Sequence, residues 1–291
     1  MRALPPQATC DNSLFALMTQ SERLRAFGTK YPEKDVTAGG VTWRYRVGGQ
    51  GSRPLLLLPG GELVNDMGFD LVAALAPRFR IVYPAYPVAR SLEDLADGVA
   101  EVLAAEGIAR ATVLGPSFGG AVAQCLIRRH PDRIERLILS NTGVPLAYLV
   151  RGRKIANAVL ASIPWPALRI LLARSILKLL GAPAEELPFW RGYVKDLFDK
   201  RLTKADVMAN LEIQLEYHQR FRFKPDDLAA WPGKIFVIES DNDIFNAERR
   251  KALRETYPQA PVYTFHGAGH APAFSRAGEY MAVLGRFLDQ P

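Results

Sequence analysis

The sequence predicts an α/β fold, a doubly wound and mostly parallel sheet carrying a helical cap insertion, on three observations. Short apolar runs alternate with amphipathic segments along most of the chain, as strands joined by right-handed helical crossovers require. The alternation breaks off after Asn141-Thr142-Gly143 and resumes only at Lys234, with helical periodicity and no convincing strand between. Finally, Gly115-Pro116-Ser117-Phe118-Gly119-Gly120 stands directly between an apolar run and an apolar helix, the setting of a sharp strand-to-helix bend.

Each element has its own local reason. Residues 41–47 alternate, with Val41, Trp43, Tyr45 and Val47 apolar, which predicts a half-buried antiparallel strand. Leu55 to Leu58 form a continuous apolar run ending in Pro59-Gly60-Gly61, the pattern of a strand buried on both faces. Ile81-Val82-Tyr83 makes the next strand, closed by Pro84 and Pro87. Ser91 is placed to cap a helix, with Asp94 three residues on and Leu92, Leu95, Val99, Val102 and Leu103 on one face. Residues 111–114 lead into the serine bend. The helix after it is apolar nearly all round and ends in Arg128-Arg129-His130, cations that complement its dipole, before Pro131. A strand over 134–139 follows.

After the interruption come a strand at 235–238, a charged helix near 247–257, a strand at 262–265, and a last helix with Tyr280, Met281, Leu284, Phe287 and Leu288 on one face. The expected organisation is an N-terminal arm (1–30), a core (31–143 and 231–291) and a cap (144–230) over the carboxyl ends of the strands.

Bulk properties bound the function. The 291 residues suffice for one large domain with an insertion, and 48% hydrophobic with 23% charged residues describes a globular chain. Cys10 and Cys125 form no disulfide framework and no metal-ligand spacing, so a reducing, cytoplasmic setting and no metal are expected. Met-Arg-Ala-Leu-Pro-Pro begins no signal peptide, and no run reaches membrane-span length. The formal charge is +7, and the segment 144–230 holds fourteen Lys/Arg against nine Asp/Glu. That surplus reads as a solvated helical surface with a weak pull on anions. The basic residues are not interleaved with stacking aromatics, which argues against nucleic acid.

The chemistry centres on Ser117. A serine hydroxyl is a poor nucleophile at neutral pH and needs a base, itself oriented by a carboxylate. Of four histidines, His130 fits a helix C-cap, His218 a surface or lid position, and His266 a strand end. His270 sits in Gly267-Ala268-Gly269-His270-Ala271-Pro272, a small-residue loop that lets an imidazole reach over the strand ends. The acid belongs in Ser240-Asp241-Asn242-Asp243, which offers two candidates. Gly61 in the glycine-rich loop and Phe118 after the serine are the natural pair of N–H donors for an oxyanion. Glu62 would oppose that charge and is expected to face solvent or a cation. In the insertion, Trp165-Pro166 opens an amphipathic helix, Arg169 should snorkel out of its apolar face, and Phe189, Trp190, Tyr193 and Phe198 add aromatic surface.

In this order of glycine-rich loop, serine elbow, acid loop and Gly-x-Gly-His loop, the chain resembles the α/β-hydrolase superfamily over roughly residues 42–288. The resemblance implies Ser117 as nucleophile, Asp243 as acid, His270 as base, and Gly61 with Phe118 as oxyanion hole, with no cofactor. Tyr31-Pro32, Trp43-Arg44-Tyr45 and Tyr86-Pro87, with the Gly-x-Ser-x-Gly-Gly elbow, look like the maspardin-like branch. Pro59-Gly60 stands where many members have His-Gly. A serine at the elbow argues against the branches that use an aspartate nucleophile.

The function expected is a serine hydrolase of esters or thioesters with partly apolar acyl groups, acting on small molecules without stable membrane insertion. Two other readings accompany it, C–C hydrolysis or acyl transfer on the same triad and a non-catalytic interaction protein.

Overall fold

The computed structural model describes residues 18–290; Cys10 and the first part of the expected arm lie outside them. Eight strands form one sheet in the order β1-β2-β4-β3-β5-β6-β7-β8. They are β1 (Glu33–Ala38), β2 (Val41–Gly48), β3 (Arg53–Leu57), β4 (Phe79–Pro84), β5 (Ala111–Pro116), β6 (Ile134–Ser140), β7 (Lys234–Ser240) and β8 (Val262–Phe265). β2 runs antiparallel to β1 and β4, and every pairing from β4 through β3 to β8 is parallel. β1 escapes the sequence reading because it is an edge strand with only Ala38 buried, so it carries no apolar alternation.

The continuous apolar strands feed two cores. Leu56 and Leu58 point into a cluster with α3 (Leu92–Ala105), α4 (Phe118–Arg129) and α9 (Ala247–Thr256). Leu55 and Leu57 point the other way, against α1 (Gln20–Lys30), α2 (Phe69–Leu75) and α11 (Ala277–Leu288). Burial on both faces is why residues 55–58 show no polar positions. Ser91 Oγ accepts the Asp94 N–H at 3.0 Å and starts α3 as a capping residue does.

Between β6 and β7 the described chain is helical: α5 (Leu149–Ser162), α6 (Trp165–Leu180), α7 (Leu187–Asp196) and α8 (Lys204–Arg220). α7 passes into a π-helical turn, Leu197–Arg201. Leu180, Trp190, Val194, Leu197 and Phe198 join one core, and Ile213 and Tyr217 the other, so the segment is seated on the body. Arg169 leaves the apolar face to pair with Asp199 at 2.6 Å, tying α6 to that turn. Among the described residues no helix is long and apolar enough to cross a membrane.

Candidate active site

Ser117 sits between β5 and α4 with φ 49° and ψ −120°, a conformation that L-residues avoid. Such backbone costs on the order of 1–3 kcal/mol and persists only where its surroundings impose it. Here the Ser117 N–H donates to Ser140 O at 3.0 Å, and Thr142 Oγ1 donates to Ser117 O at 2.7 Å. The glycines have a packing reason as well. A Cβ at Gly119 would lie 2.6 Å from Pro59 O, and one at Gly120 would lie 2.4 Å from Thr142 Oγ1.

His270 lies in the loop between β8 and the short α10 (Pro272–Ser275), where Gly267 and Gly269 both adopt positive φ. Its Nε2 is 2.9 Å from Ser117 Oγ and its Nδ1 is 2.7 Å from Asp243 Oδ1. With Asp243 ionised, that carboxylate sets the tautomer: Nδ1–H donates to it, leaving Nε2 to accept the serine hydroxyl. The side chains are 9% and 1% exposed. Asp243 accepts two further hydrogen bonds, and a third bond fixes its loop. Asn141 Nδ2 donates to its Oδ2 at 2.8 Å, the Phe245 N–H donates to Oδ1 at 3.3 Å, and Gly269 N–H donates to Asn242 Oδ1 at 2.7 Å, latching the two loops together. The Phe245 ring stacks on the His270 ring, with centroids 5.6 Å apart.

The structure thus brings together Ser117, His270 and Asp243, and not Asp241. Asp241 is held at the surface: its Oδ1 accepts the Gly267 N–H at 2.9 Å and its Oδ2 pairs with His266 Nδ1 at 2.8 Å. Gly267 N–H and then His266 hold its carboxyl below the usual range. His130 ends α4 as expected and pairs with Asp97 at 2.7 Å. His218 differs from expectation. It is buried, its Nδ1 accepts the Leu146 N–H at 3.0 Å, and burial followed by the charges of Arg153, Arg249 and Arg222 lowers its pKa to about 3.

Gly61 and Phe118 line one cavity of about 410 Å³ together with Ser117 and His270. Phe118 opens α4, and the first N–H groups of a helix have no partner within it. Glu62 is half-buried and makes no ion pair among the described residues. Its Oε1 folds back to accept the Gly60 N–H at 2.8 Å, and its side chain lines the same cavity. Burial raises its pKa, against the opposing pull of backbone N–H groups and His270. The remaining wall is largely apolar, with Met67, Leu172, Ile176, Trp190, Phe198 and Phe274. Tyr193 and Phe189 instead pack against Trp190 at centroid distances of 5.6 and 4.9 Å.

Asn141, Phe245 and Gln214 were missed by sequence reasoning. Gln214 of α8 projects over the glycine-rich loop, with Nε2 4.0 Å from where a Gly61 Cβ would stand. Only Asn141 left a signal, as a polar residue ending an apolar strand. Among the described residues no group of three or more His, Cys, Asp or Glu is arranged to hold a metal ion.

The profile described as "Alpha/beta hydrolase family" matches residues 49–283. The chain belongs to this family. Within the α/β-hydrolase family it is 28% identical, over 83% of its length and 96% of the relative's, to a pimeloyl-[acyl-carrier protein] methyl ester esterase of Chromobacterium violaceum. It is 25% identical to a 2-hydroxymuconate semialdehyde hydrolase of Pseudomonas putida, over 64% of this chain and 65% of that one. Among solved structures it is similar in fold to the enol-lactonase of Burkholderia xenovorans, with TM-score 0.72 and 21% identity over 88% of this chain and 100% of that one. The match is to the α/β-hydrolase family at large, and the finer maspardin-like resemblance does not follow from it.

Proposed function

We propose that this α/β-hydrolase is a cofactor-independent serine hydrolase of carboxylic esters or thioesters with partly apolar acyl groups. The observation that carries the reading is the unbroken hydrogen-bonded line from Ser117 Oγ through His270 to the buried Asp243 carboxylate. A binding module has no need of that line. In the reaction, Ser117 Oγ attacks the substrate carbonyl carbon while its proton passes to His270 Nε2. Asp243 steadies the imidazolium that results. The carbonyl oxygen, now negative, is met by the N–H groups of Gly61 and Phe118, where loss of one such donor costs roughly 3–4 kcal/mol of barrier. Collapse expels the alcohol or thiol, which takes the proton from His270. Water then gives a proton to His270 and attacks the acyl carbon; the Oγ–acyl bond breaks, His270 returns the proton to Ser117 Oγ, and the carboxylic acid leaves.

The apolar wall from α6, α7 and α10 supports a medium-length acyl chain, and the esterase relative is consistent with an ester substrate. Labelling by a fluorophosphonate tests the mechanism: wild type should label at Ser117, and Ser117→Ala should neither label nor hydrolyse esters while remaining folded. Labelling elsewhere, or none, overturns the reading. Octanoyl esters should exceed acetyl esters in kcat/KM by a graded margin, since apolar pockets discriminate a methylene by about 1–3 kcal/mol at most. Equal values would exclude the acyl assignment.

A further inference from the structure

Beside the cleft, two arginines from different elements lie near enough for the charge of Arg249 to be felt at Arg153. Arg153 comes from α5 of the insertion and Arg249 from α9 of the core, and both are half-buried. Arg153 Nη1 reaches Gln214 Oε1 at 3.3 Å, behind the amide that projects over Gly61. Arg249 lies flat on the Phe245 ring, its Cζ 4.1 Å from the centroid, and that ring stacks on His270. Its Nε is buried without a hydrogen-bond partner. Neither guanidinium makes an ion pair among the described residues, whereas other half-buried arginines do: Arg23 with Asp70, Arg128 with Asp227, Arg201 with Asp66.

The groups around them compensate Arg249 only in part and Arg153 not at all. Asp243 faces Arg249, but its oxygens are taken by His270, Asn141 and Phe245; Tyr148 and Tyr217 are neutral, and Glu248 is engaged by Tyr148. His218 stays uncharged, and Arg222 adds to the positive field. Burial depresses both guanidinium pKa values, and the charge of Arg249 lowers that of Arg153 further. Holding two cations together and partly dry is costly unless an anion joins them. A planar fork on each suits a carboxylate, sulfonate or phosphate.

We propose that Arg153 and Arg249 form an anion subsite, taking an oxyanion group carried by the half of the substrate that extends from Ser117 away from the apolar chamber. This inference rests on the hydrolase reading of the same cleft. It adds that the substrate has two unlike ends, one apolar and buried between α6 and α7, the other anionic and held by the guanidinium groups of α5 and α9. The exposed Ile244, which also lines the cavity, marks where that second end leaves.

The test compares 4-(octanoyloxy)benzenesulfonate with the matching neutral sulfonamide, two esters of similar size and leaving-group activation. Wild type should favour the sulfonate in kcat/KM by about tenfold, the effect of one well-placed charge contact. The ratio should fall towards one in Arg153→Gln and in Arg249→Gln, and stay high in Lys178→Gln, which removes an exposed charge of α6 remote from the pair. A wild-type ratio near one, or a ratio lost equally in Lys178→Gln, overturns the subsite. Fluorophosphonate labelling run in parallel separates the two failures, because labelled enzyme without sulfonate preference refutes the subsite alone.

Discussion

Two aspartate–histidine pairs bridge the same two loops, and they differ in almost everything except chemistry. Asp241 and His266 meet at 2.8 Å with side chains 43% and 86% exposed, while Asp243 and His270 meet at 2.7 Å with side chains 1% and 9% exposed. Exposed pairs of this kind contribute little, because water and salt screen them and both side chains must give up freedom to meet. The buried pair has Ser117 at the far ring nitrogen and three protein donors besides the imidazole around its carboxylate or its loop. Equal distances therefore carry unequal consequences. Contact geometry identifies a pair, but burial and the third partner decide what it can do.

The sharpest way to break this comparison is to exchange the roles. Asp243→Asn should lower kcat by up to about 10⁴-fold with little change in KM, because the amide no longer fixes the tautomer or stabilises the imidazolium. Asp241→Asn, measured alongside, should lower kcat by less than about threefold. The reverse order in folded variants would transfer the orienting role to the surface pair.

A smaller effect probes why the buried pair is rigid. Asn141 has φ 45°, so Asn141→Gly removes the amide while keeping a backbone that glycine adopts freely. An Asp243 oxygen left without its donor should cost about 1–3 kcal/mol, or roughly 5- to 150-fold in kcat. Unchanged kcat would mean that the remaining donors suffice.

The smallest expected change concerns stability and the third histidine environment, His218. Its folded pKa of about 3 lies below the ordinary value of 6.5. Between those values the unfolded chain binds a proton that the folded chain refuses, so this residue lowers stability progressively as pH falls from 6.5 towards 3. The slope is at most about 1.4 kcal/mol per pH unit. In His218→Gln the decline of Tm below pH 6 should be shallower than in wild type, and parallel curves would contradict the assignment.

How much was legible follows from how local each feature is. The elbow could be read because its glycines, serine and flanking strand and helix are contiguous, even though Pro59 O and the Thr142 side chain, which crowd Gly119 and Gly120, come from other loops. The buried strands could be read because alternate residues of 55–58 enter opposite cores, leaving no polar position. The edge strand β1 could not, since one buried residue in six makes no pattern. Glu62 was misjudged because its partner, the Gly60 N–H, is a backbone group that any residue would supply.

By itself the sequence determined the order of strands and helices, the serine bend, the interruption by helices, and the histidine loop, because local propensity and apolar period act over a few residues. Only the tertiary structure decided which aspartate meets which histidine. Asp241 and Asp243 share a loop and a chemistry. The parallel register that sets Ser240 opposite Phe265 leaves Asp241 beside His266 at the rim and turns Asp243 inward, to Asn141 and His270. The same holds for Arg153 and Arg249, ninety-six positions apart: charge is written in the sequence, but the absence of a partner is a property of the packed chain.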